Sequence, residues 1–184
     1  MKSIRRNLLI LFSLLLLTFL FKGSIYRFLF SYRSIGQRSE YPITSRELSS
    51  QIENQIKEEK PKDVQEIISL ALTISSGSLS FSSASGNPLN PNSLPPGSST
   101  HCIGYSAYFN TVCNYLLRKY GYASVWKSTQ QIGKIRFAGI DIHQFFNSAF
   151  FADHDYNIIQ NSITGETLAV DPSLHDYTGI ELVD

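Results

Sequence analysis

Apolar residues in the first part of the chain form one continuous run and then two stretches with helical spacing. Residues 8–21 are apolar at every position except Ser13 and Thr18. Between Ser45 and Ala71 the apolar residues recur at steps of three and four, with a break at Lys60-Pro61. They are Leu48, Ile52, Ile56, Val64, Ile67, Ile68 and Ala71. This spacing predicts two helices, the first of them exposed and charged.

One more helix and three strands are predicted beyond residue 101. The apolar face of this helix is formed by Tyr105, Phe109, Val112, Leu116 and Tyr120. Gly121 ends the helix, because glycine readily adopts the conformation that closes a last turn. Three segments rich in aromatic or branched residues predict strands: Tyr122 to Lys127, Asp155 to Gln160, and Glu166 to Asp171. Together these elements predict an α+β domain.

The segment between the early helices and the later elements has a different composition. Residues 75–100 hold ten serines and four prolines with few large apolar side chains. Such a composition cannot build packed structure alone, so we predict a mobile Ser/Pro-rich loop leading to the functional site.

The N-terminal apolar run has the features of a signal-type segment. Three cations, Lys2, Arg5 and Arg6, precede a run of 14 residues, and no small-residue cleavage site follows it. We therefore expect residues 1–30 to form an uncleaved signal anchor, the alternative being a buried amphipathic helix. Cations on the two sides nearly balance, and we expect the domain to lie outside the cytoplasm.

Length, composition and charge limit the remaining possibilities. The 184 residues leave room for one compact domain, and 42% hydrophobic with 12% aromatic residues describe a globular protein. We place a linker and the exposed helix at 31–60 and the domain at 61–184. A net charge of +1 offers no basic surplus for nucleic acid.

The two cysteines, Cys102 and Cys113, lie 113−102 = 11 residues apart on one predicted helix. Their backbones would be about 16 Å apart, too far for a disulfide. Neither cysteine has the thiol or histidine spacing of a zinc site. We expect no metal and no cofactor, with Cys113 a core thiol on the packed face.

Cys102 occupies the predicted start of its helix, where free amides and the helix dipole favour a thiolate. A nucleophilic thiolate needs a base, and the base needs a group that holds its orientation. His154 opens one predicted strand and Asp171 ends the next, so a hairpin turning at 161–165 would carry both to one sheet end. They share a face only if paired residue numbers sum to an odd value, as in pairing 154 with 171.

Other histidines and carboxylates are weaker candidates. His101 adjoins Cys102 in sequence and is expected to point away, whereas His143 stands in an apolar run as a packing or hydrogen-bonded residue. His175 follows the aspartate and is placed along the cleft. Asp153 and Asp155 flank His154 and are expected to be solvated strand-end charges.

These motifs resemble the transglutaminase-like family. The resemblance consists of Cys102 followed by a glycine and an aromatic residue, His154 opening a strand, and the Asp171-Pro172 pair. The junction at 119–123 (Lys-Tyr-Gly-Tyr-Ala) is also similar to the family pattern, and the likeness covers roughly Val64 to Ser173. Leu168 departs from it, because relatives usually have tryptophan before the aspartate-proline pair. The serine-rich lead-in also differs, and the amide of Cys102 is the only oxyanion donor we name.

The resemblance implies a papain/transglutaminase-like core, with a helix carrying the cysteine packed on an antiparallel sheet carrying histidine and aspartate. It also implies a thiol enzyme that acts on amide bonds of a peptide or protein substrate, as a peptidase, amidase or acyl transferase. The N-terminal anchor is expected to place this enzyme at a membrane. Two alternatives use the same features. One is a non-catalytic peptide- or cell-surface-binding module, and the other is arylamine acetyl transfer, for which the chain is short and offers no coenzyme site.

Overall fold

A computed structural model describes residues 2–83 and 89–183 of the chain and has the α+β architecture expected from the sequence. The helices are α1 (Lys2–Leu20), α2 (Lys22–Leu29), α3 (Arg46–Gln55), α4 (Val64–Ser78), α5 (Cys102–Lys119) and α6 (Pro172–Thr178). The strands are β1 (Phe30–Gln37), β2 (Leu79–Phe81), β3 (Ser98–Thr100), β4 (Trp126–Phe137), β5 (Ile140–Asp141), β6 (His154–Asn161) and β7 (Thr167–Val170). Five of these strands form one antiparallel sheet.

The main sheet has the strand order β1-β4-β6-β7, with the short β5 paired to the end of β4. All of its pairings are antiparallel. Gly133 of β4 lies opposite His154 at the start of β6, and Phe30 of β1 lies opposite Phe137. The strand β4 is therefore central, and two segments distant in sequence meet on it.

Helices cover the two faces of the sheet unequally. The core helix α5 contacts β4 and β6 on one face and packs against α4 on its outer side. The resulting main core includes Ile67, Phe109, Leu116 and Ile159. A smaller cluster covers the opposite face, where Tyr32, Tyr156, Ala169, Ile180 and Val183 are buried together. Asp171 follows β7, whose Val170 belongs to the main core and whose Ala169 belongs to the smaller cluster.

The two helices predicted between Ser45 and Ala71 form as α3 and α4. Ser45 caps α3 by accepting a hydrogen bond from Leu48 N–H at 3.3 Å, and Asp63 caps α4 by accepting from Glu66 N–H at 2.9 Å. The helix α3 is exposed on most of its surface, but its Leu48 and Ile52 are buried. The helix α5 also ends as expected, since Gly121 has a φ of +82°.

One predicted strand and the predicted linker require correction. The strand expected at residues 122–127 begins at Trp126 and runs to Phe137, because residues 122–125 form the turn that leaves α5. The segment 31–60, expected to be a linker and one exposed helix, contributes β1 to the sheet. The compact unit therefore includes residues on the N-terminal side of residue 61.

The predicted loop at 75–100 is largely ordered where it is described. Residues 75–78 are the last turn of α4, β2 and β3 form a two-stranded parallel pair, and Pro91–Ser93 make one turn of 3-10 helix. Residues 84–88 of the predicted loop lie outside the described residues. The chain thus reaches Cys102 directly from β3, which fixes where α5 begins.

The N-terminal segment forms two helices at an angle to each other. Within residues 2–83 and 89–183, no single helix has both the length and the apolar character to cross a membrane. The pair Arg5–Leu20 and Lys22–Leu29, bent by 72°, meets those criteria together by length and composition. The apolar side chains of α1 are exposed, whereas α2 contacts β1. The bend therefore separates a helix whose apolar side chains from Leu8 to Leu20 are exposed from one that contacts the domain.

Candidate active site

Cys102 is the first residue of α5, as the sequence predicts. His101 occupies the N-cap position without a side-chain hydrogen bond to the first turn, so no side-chain cap competes for the amides there. Gly104 is required one turn in, because a Cβ at this position would lie 1.9 Å from Thr100 Oγ1. The close approach of β3 thus fixes the start of α5, and Cys102 is 7% exposed there.

The β6–β7 hairpin places His154 beside Asp171. Asn157 pairs with Val170, so paired residue numbers sum to an odd value as expected, but the register differs by two from pairing 154 with 171. Asp171 therefore lies one residue beyond β7 and diagonal to His154 on the same face. The His154 Nε2 lies 2.7 Å from Asp171 Oδ2, and the His154 side chain remains 19% exposed.

Asp171 is held in place by the helix that follows it. It is the N-cap of α6, where Oδ1 accepts hydrogen bonds from Leu174 N–H at 3.0 Å and from the Ser173 hydroxyl at 2.7 Å. Pro172 occupies the first helical turn, where its missing N–H costs nothing. The Asp-Pro-Ser motif is thus a capping motif that leaves Oδ2 directed at His154.

Charges and hydrogen bonds shift both ionisable partners. Burial opposes the charged His154 ring, but the Asp171 charge, its hydrogen bond and the Cys102 side chain together raise the His154 pKa well above 6.5. Burial would raise the Asp171 pKa, yet the His154 charge and the hydrogen bonds from His154, Leu174 and Ser173 lower it below 3.8. The arrangement favours an imidazolium facing a carboxylate.

The Cys102 side chain completes the set, because it lies close enough to the His154 ring to raise the pKa of that ring. The Nε2 atom of His154 already contacts Asp171, so Nδ1 is the nitrogen left for the sulfur. All three residues selected from the sequence are therefore brought together in the order thiol, imidazole, carboxylate. This geometry permits proton transfer between sulfur and imidazole, with the carboxylate fixing the ring.

Asp155 was expected to be a solvated charge, and this expectation is wrong. Its side chain is fully buried and pairs with Arg38, whose Nε and Nη2 lie 2.7 and 3.0 Å from the two carboxylate oxygens. Gln130 Nε2 donates to the same carboxylate at 2.6 Å and to the carbonyl of Ile103 at 3.0 Å. Asp155 thus links the strand that carries His154 to the first turn of α5.

Tyr32 is a site residue that sequence reasoning missed. Its hydroxyl donates to Asp171 Oδ2 at 2.9 Å, on the oxygen that also contacts His154. Tyr32 lies in β1, which the sequence pattern assigned to a linker. An alternation of aromatic and polar residues in Phe30-Ser31-Tyr32-Arg33 was the available signal, and it was hidden by the apolar run before it.

The remaining candidates have structural roles. His143 Nε2 accepts from Ile135 N–H at 3.0 Å, so its Nδ1 carries the proton and donates to the carbonyl of Phe151 at 2.8 Å. His101 packs edge-on against Phe150. Cys113 is fully buried in the middle of α5, and burial raises the pKa of its thiol to about 12.

Comparison with other proteins leaves the site to be interpreted from its own geometry. Within residues 2–83 and 89–183, no three His, Cys, Asp or Glu side chains are grouped so as to hold a metal ion. Neither protein-family models, nor curated proteins, nor solved structures give a match to this chain.

Proposed function

We propose that this protein is a membrane-tethered thiol enzyme of the transglutaminase-like type that acts on amide bonds. The observation that carries the proposal is the series Cys102, His154 and Asp171 at the start of α5. His154 is hydrogen-bonded to Asp171 and lies close enough to Cys102 for that side chain to raise the His154 pKa. A buried structural cysteine needs neither an oriented imidazole nor a capped carboxylate behind it. The series matches what acyl transfer by a thiolate requires.

In the proposed reaction the Cys102 thiolate attacks an amide carbonyl and forms a tetrahedral oxyanion. The amide of Cys102, at the uncapped start of α5, is the proposed donor to that oxyanion. His154 then gives its proton to the departing amine, which leaves a thioester on Cys102. Water or a second amine releases the acyl group and restores the thiol, giving hydrolysis or transfer respectively.

The family assignment, the substrate and the location belong to the same proposal. The packing of α5 on β4 and β6 supports a papain/transglutaminase-like core, since the helix carries the thiol and the sheet carries its partners. The exposed apolar surface of α1 supports a membrane tether, with the domain outside the cytoplasm. A peptide or protein is the proposed substrate, and hydrolysis is the favoured outcome.

Alkylation of the full-length protein in detergent micelles tests the proposal. Iodoacetamide at pH 6 should label Cys102 about tenfold or more faster than a free thiol, because the His154 imidazolium stabilises the thiolate. His154→Ala should reduce the rate to that of a free thiol. Cys113 is the internal control and should stay unlabelled in the folded protein, since burial holds its pKa near 12.

Labelling of Cys102 no faster than a free thiol, unchanged in His154→Ala, would contradict the proposal. That result would favour the alternative of a peptide- or cell-surface-binding module on the same fold. A matched substitution, His143→Gln, removes an imidazole that bonds only to backbone atoms. Alkylation of Cys102 in folded His143→Gln should remain fast, which separates loss of the base from loss of any histidine.

A further inference from the structure

Two tyrosine hydroxyls extend the site beyond Asp171. The Tyr32 hydroxyl donates to Asp171 Oδ2 at 2.9 Å, and the Tyr26 hydroxyl lies 2.7 Å from the Tyr32 hydroxyl. A phenol has one proton, and that of Tyr32 is used on the carboxylate. Tyr26 must therefore be the donor to Tyr32. The direction of donation is fixed from Tyr26 to Tyr32 to Asp171.

Tyr26 belongs to α2, the helix next to the proposed tether. The domain holds this helix at three points, since Lys22 donates to the carbonyl of Thr178, Arg27 donates to that of Leu182 at 3.4 Å, and the Tyr26 ring stacks on Phe30. The two cations are directed at the C-terminal segment and not at Asp171. The helix α2 is thus docked so that its tyrosine reaches the site.

Asp171 does not need these tyrosines merely to be held. Its Oδ1 is already fixed by Ser173 and by the amide of Leu174. The Tyr32 hydroxyl instead acts on Oδ2, the oxygen that faces the His154 proton. A hydrogen-bond donor on Oδ2 partly neutralises the negative charge of that oxygen. The two tyrosines therefore reduce the stabilisation that Asp171 gives to the protonated His154 ring.

We propose that Tyr26 and Tyr32 are positioning residues that set how readily His154 releases its proton, and that α2 is therefore part of the active site. This inference rests on the proposed function, in which His154 must protonate the departing amine. A proton held too tightly by Asp171 and His154 would be transferred slowly. Among residues 2–83 and 89–183, the titratable groups that act on the His154 ring are Asp171 and, from α5, Cys102.

The test is a pH titration of the His154 ring by NMR in the full-length, histidine-labelled chain in detergent micelles. Tyr32→Phe should move the His154 midpoint upward by about 0.5 pH unit, since a hydrogen bond to a charged group is lost. Tyr26→Phe should move it in the same direction by about 0.2 pH unit, because it acts through Tyr32. Tyr26→Phe keeps the ring that stacks on Phe30.

Tyr122→Phe is the matched control. Its hydroxyl donates to the carbonyl of Lys62, beyond the far end of α5 from Cys102, and its loss should leave the midpoint unchanged. Near-UV circular dichroism verifies that each variant is folded. If Tyr32→Phe does not fold, Tyr26→Phe alone carries the test with the same sign.

The outcomes separate the two proposals. A His154 midpoint that stays within about 0.1 pH unit of wild type in folded Tyr26→Phe and Tyr32→Phe overturns the role of the tyrosines, even if Cys102 alkylation is fast. A downward shift also overturns it, because the direction of donation would be wrong. Slow alkylation of wild-type Cys102 overturns the proposed function and, with it, any catalytic meaning of the tyrosine pair.

Discussion

The Asp171 carboxylate shows how a single side chain joins a strand, a helix and a site. Four groups share its two oxygens, and each oxygen has a separate task. Oδ1 caps α6, which stabilises the helix, and Oδ2 holds His154. A buried carboxylate without such partners would be neutral, so the cap also keeps the charge that His154 needs.

Asp171→Asn should slow the alkylation of Cys102 at pH 6. The substitution keeps an N-cap but removes the negative charge that raises the His154 pKa, so the imidazolium beside Cys102 is stabilised less. We expect the rate of Cys102 alkylation to fall several-fold. Stopped alkylation reactions analysed by mass spectrometry measure it.

Ser173→Ala provides the comparison for this prediction. It removes one hydrogen bond from Oδ1 and leaves Oδ2 and the charge in place. Its effect on alkylation should be several times smaller than that of Asp171→Asn. Equal rates in wild type and Asp171→Asn would show that the carboxylate does not control the thiol.

At the scale of elements, local patterns predicted what local interactions build. The helix α5 and the hairpin of β6 and β7 form from neighbouring segments, and both were placed correctly from periodicity and turn residues. The predicted strand at 122–127 lay too early in the chain, because the sequence of β4 is polar, with Gln130 and Gln131 near its middle. The strand β4 forms because its backbone pairs with β1 on one side and with β6 on the other, which its side-chain pattern does not indicate.

The contacts of the site that the sequence did not predict also depend on long-range strand pairing. Tyr32 and Asp171 are 139 residues apart, and no spacing rule connects them. Cys102, His154 and Asp171 could be selected from the sequence because each lies at or next to the end of an element whose own sequence defines it. The pairing of Arg38 with Asp155 required knowledge that β1 and β6 lie on the two sides of β4, and that depends on long-range pairing.

The turn between β4 and β5 offers a test of element stability. Ala138 and Gly139 form a two-residue turn with φ values of +47° and +84°, and an alanine is strained in that conformation. Ala138→Asn should raise the free energy of unfolding by about 0.5–1 kcal/mol, since Asn-Gly is a preferred pair for such turns. Chemical denaturation measures the change.

Ala138→Val is the matched substitution in the opposite direction. A branched side chain is poorly tolerated at positive φ, so unfolding should become easier. Residue 138 is exposed, which limits the effect to the backbone. Loss of stability in Ala138→Asn would show that the turn conformation is wrong.

At the scale of the whole molecule, the N-terminal segment has two parts with different attachments. The helix α1 presents exposed apolar side chains, whereas α2 and β1 are joined to the domain by hydrogen bonds and strand pairing. The boundary between the proposed tether and the folded domain therefore falls near residue 21. The sequence pattern had placed the tether end at residue 30.

Two deletions distinguish these boundaries. Removal of residues 2–20 should leave a protein that unfolds cooperatively and no longer sediments with membranes. Removal of residues 2–29 should also lower the midpoint of thermal unfolding by several degrees, since the cover over Tyr32 is lost with α2. Equal melting temperatures for the two deletions would mean that α2 does not belong to the domain.

The pairing of β1 with β4 also has a consequence for synthesis. Phe30 can pair with Phe137 only after another 137−30 = 107 residues have been synthesised. During translation the first strand therefore leaves the ribosome long before its neighbour exists, and it stays an open edge next to an apolar helix. The hydrogen bond from Tyr32 to Asp171 can likewise form only after residue 171 has been synthesised.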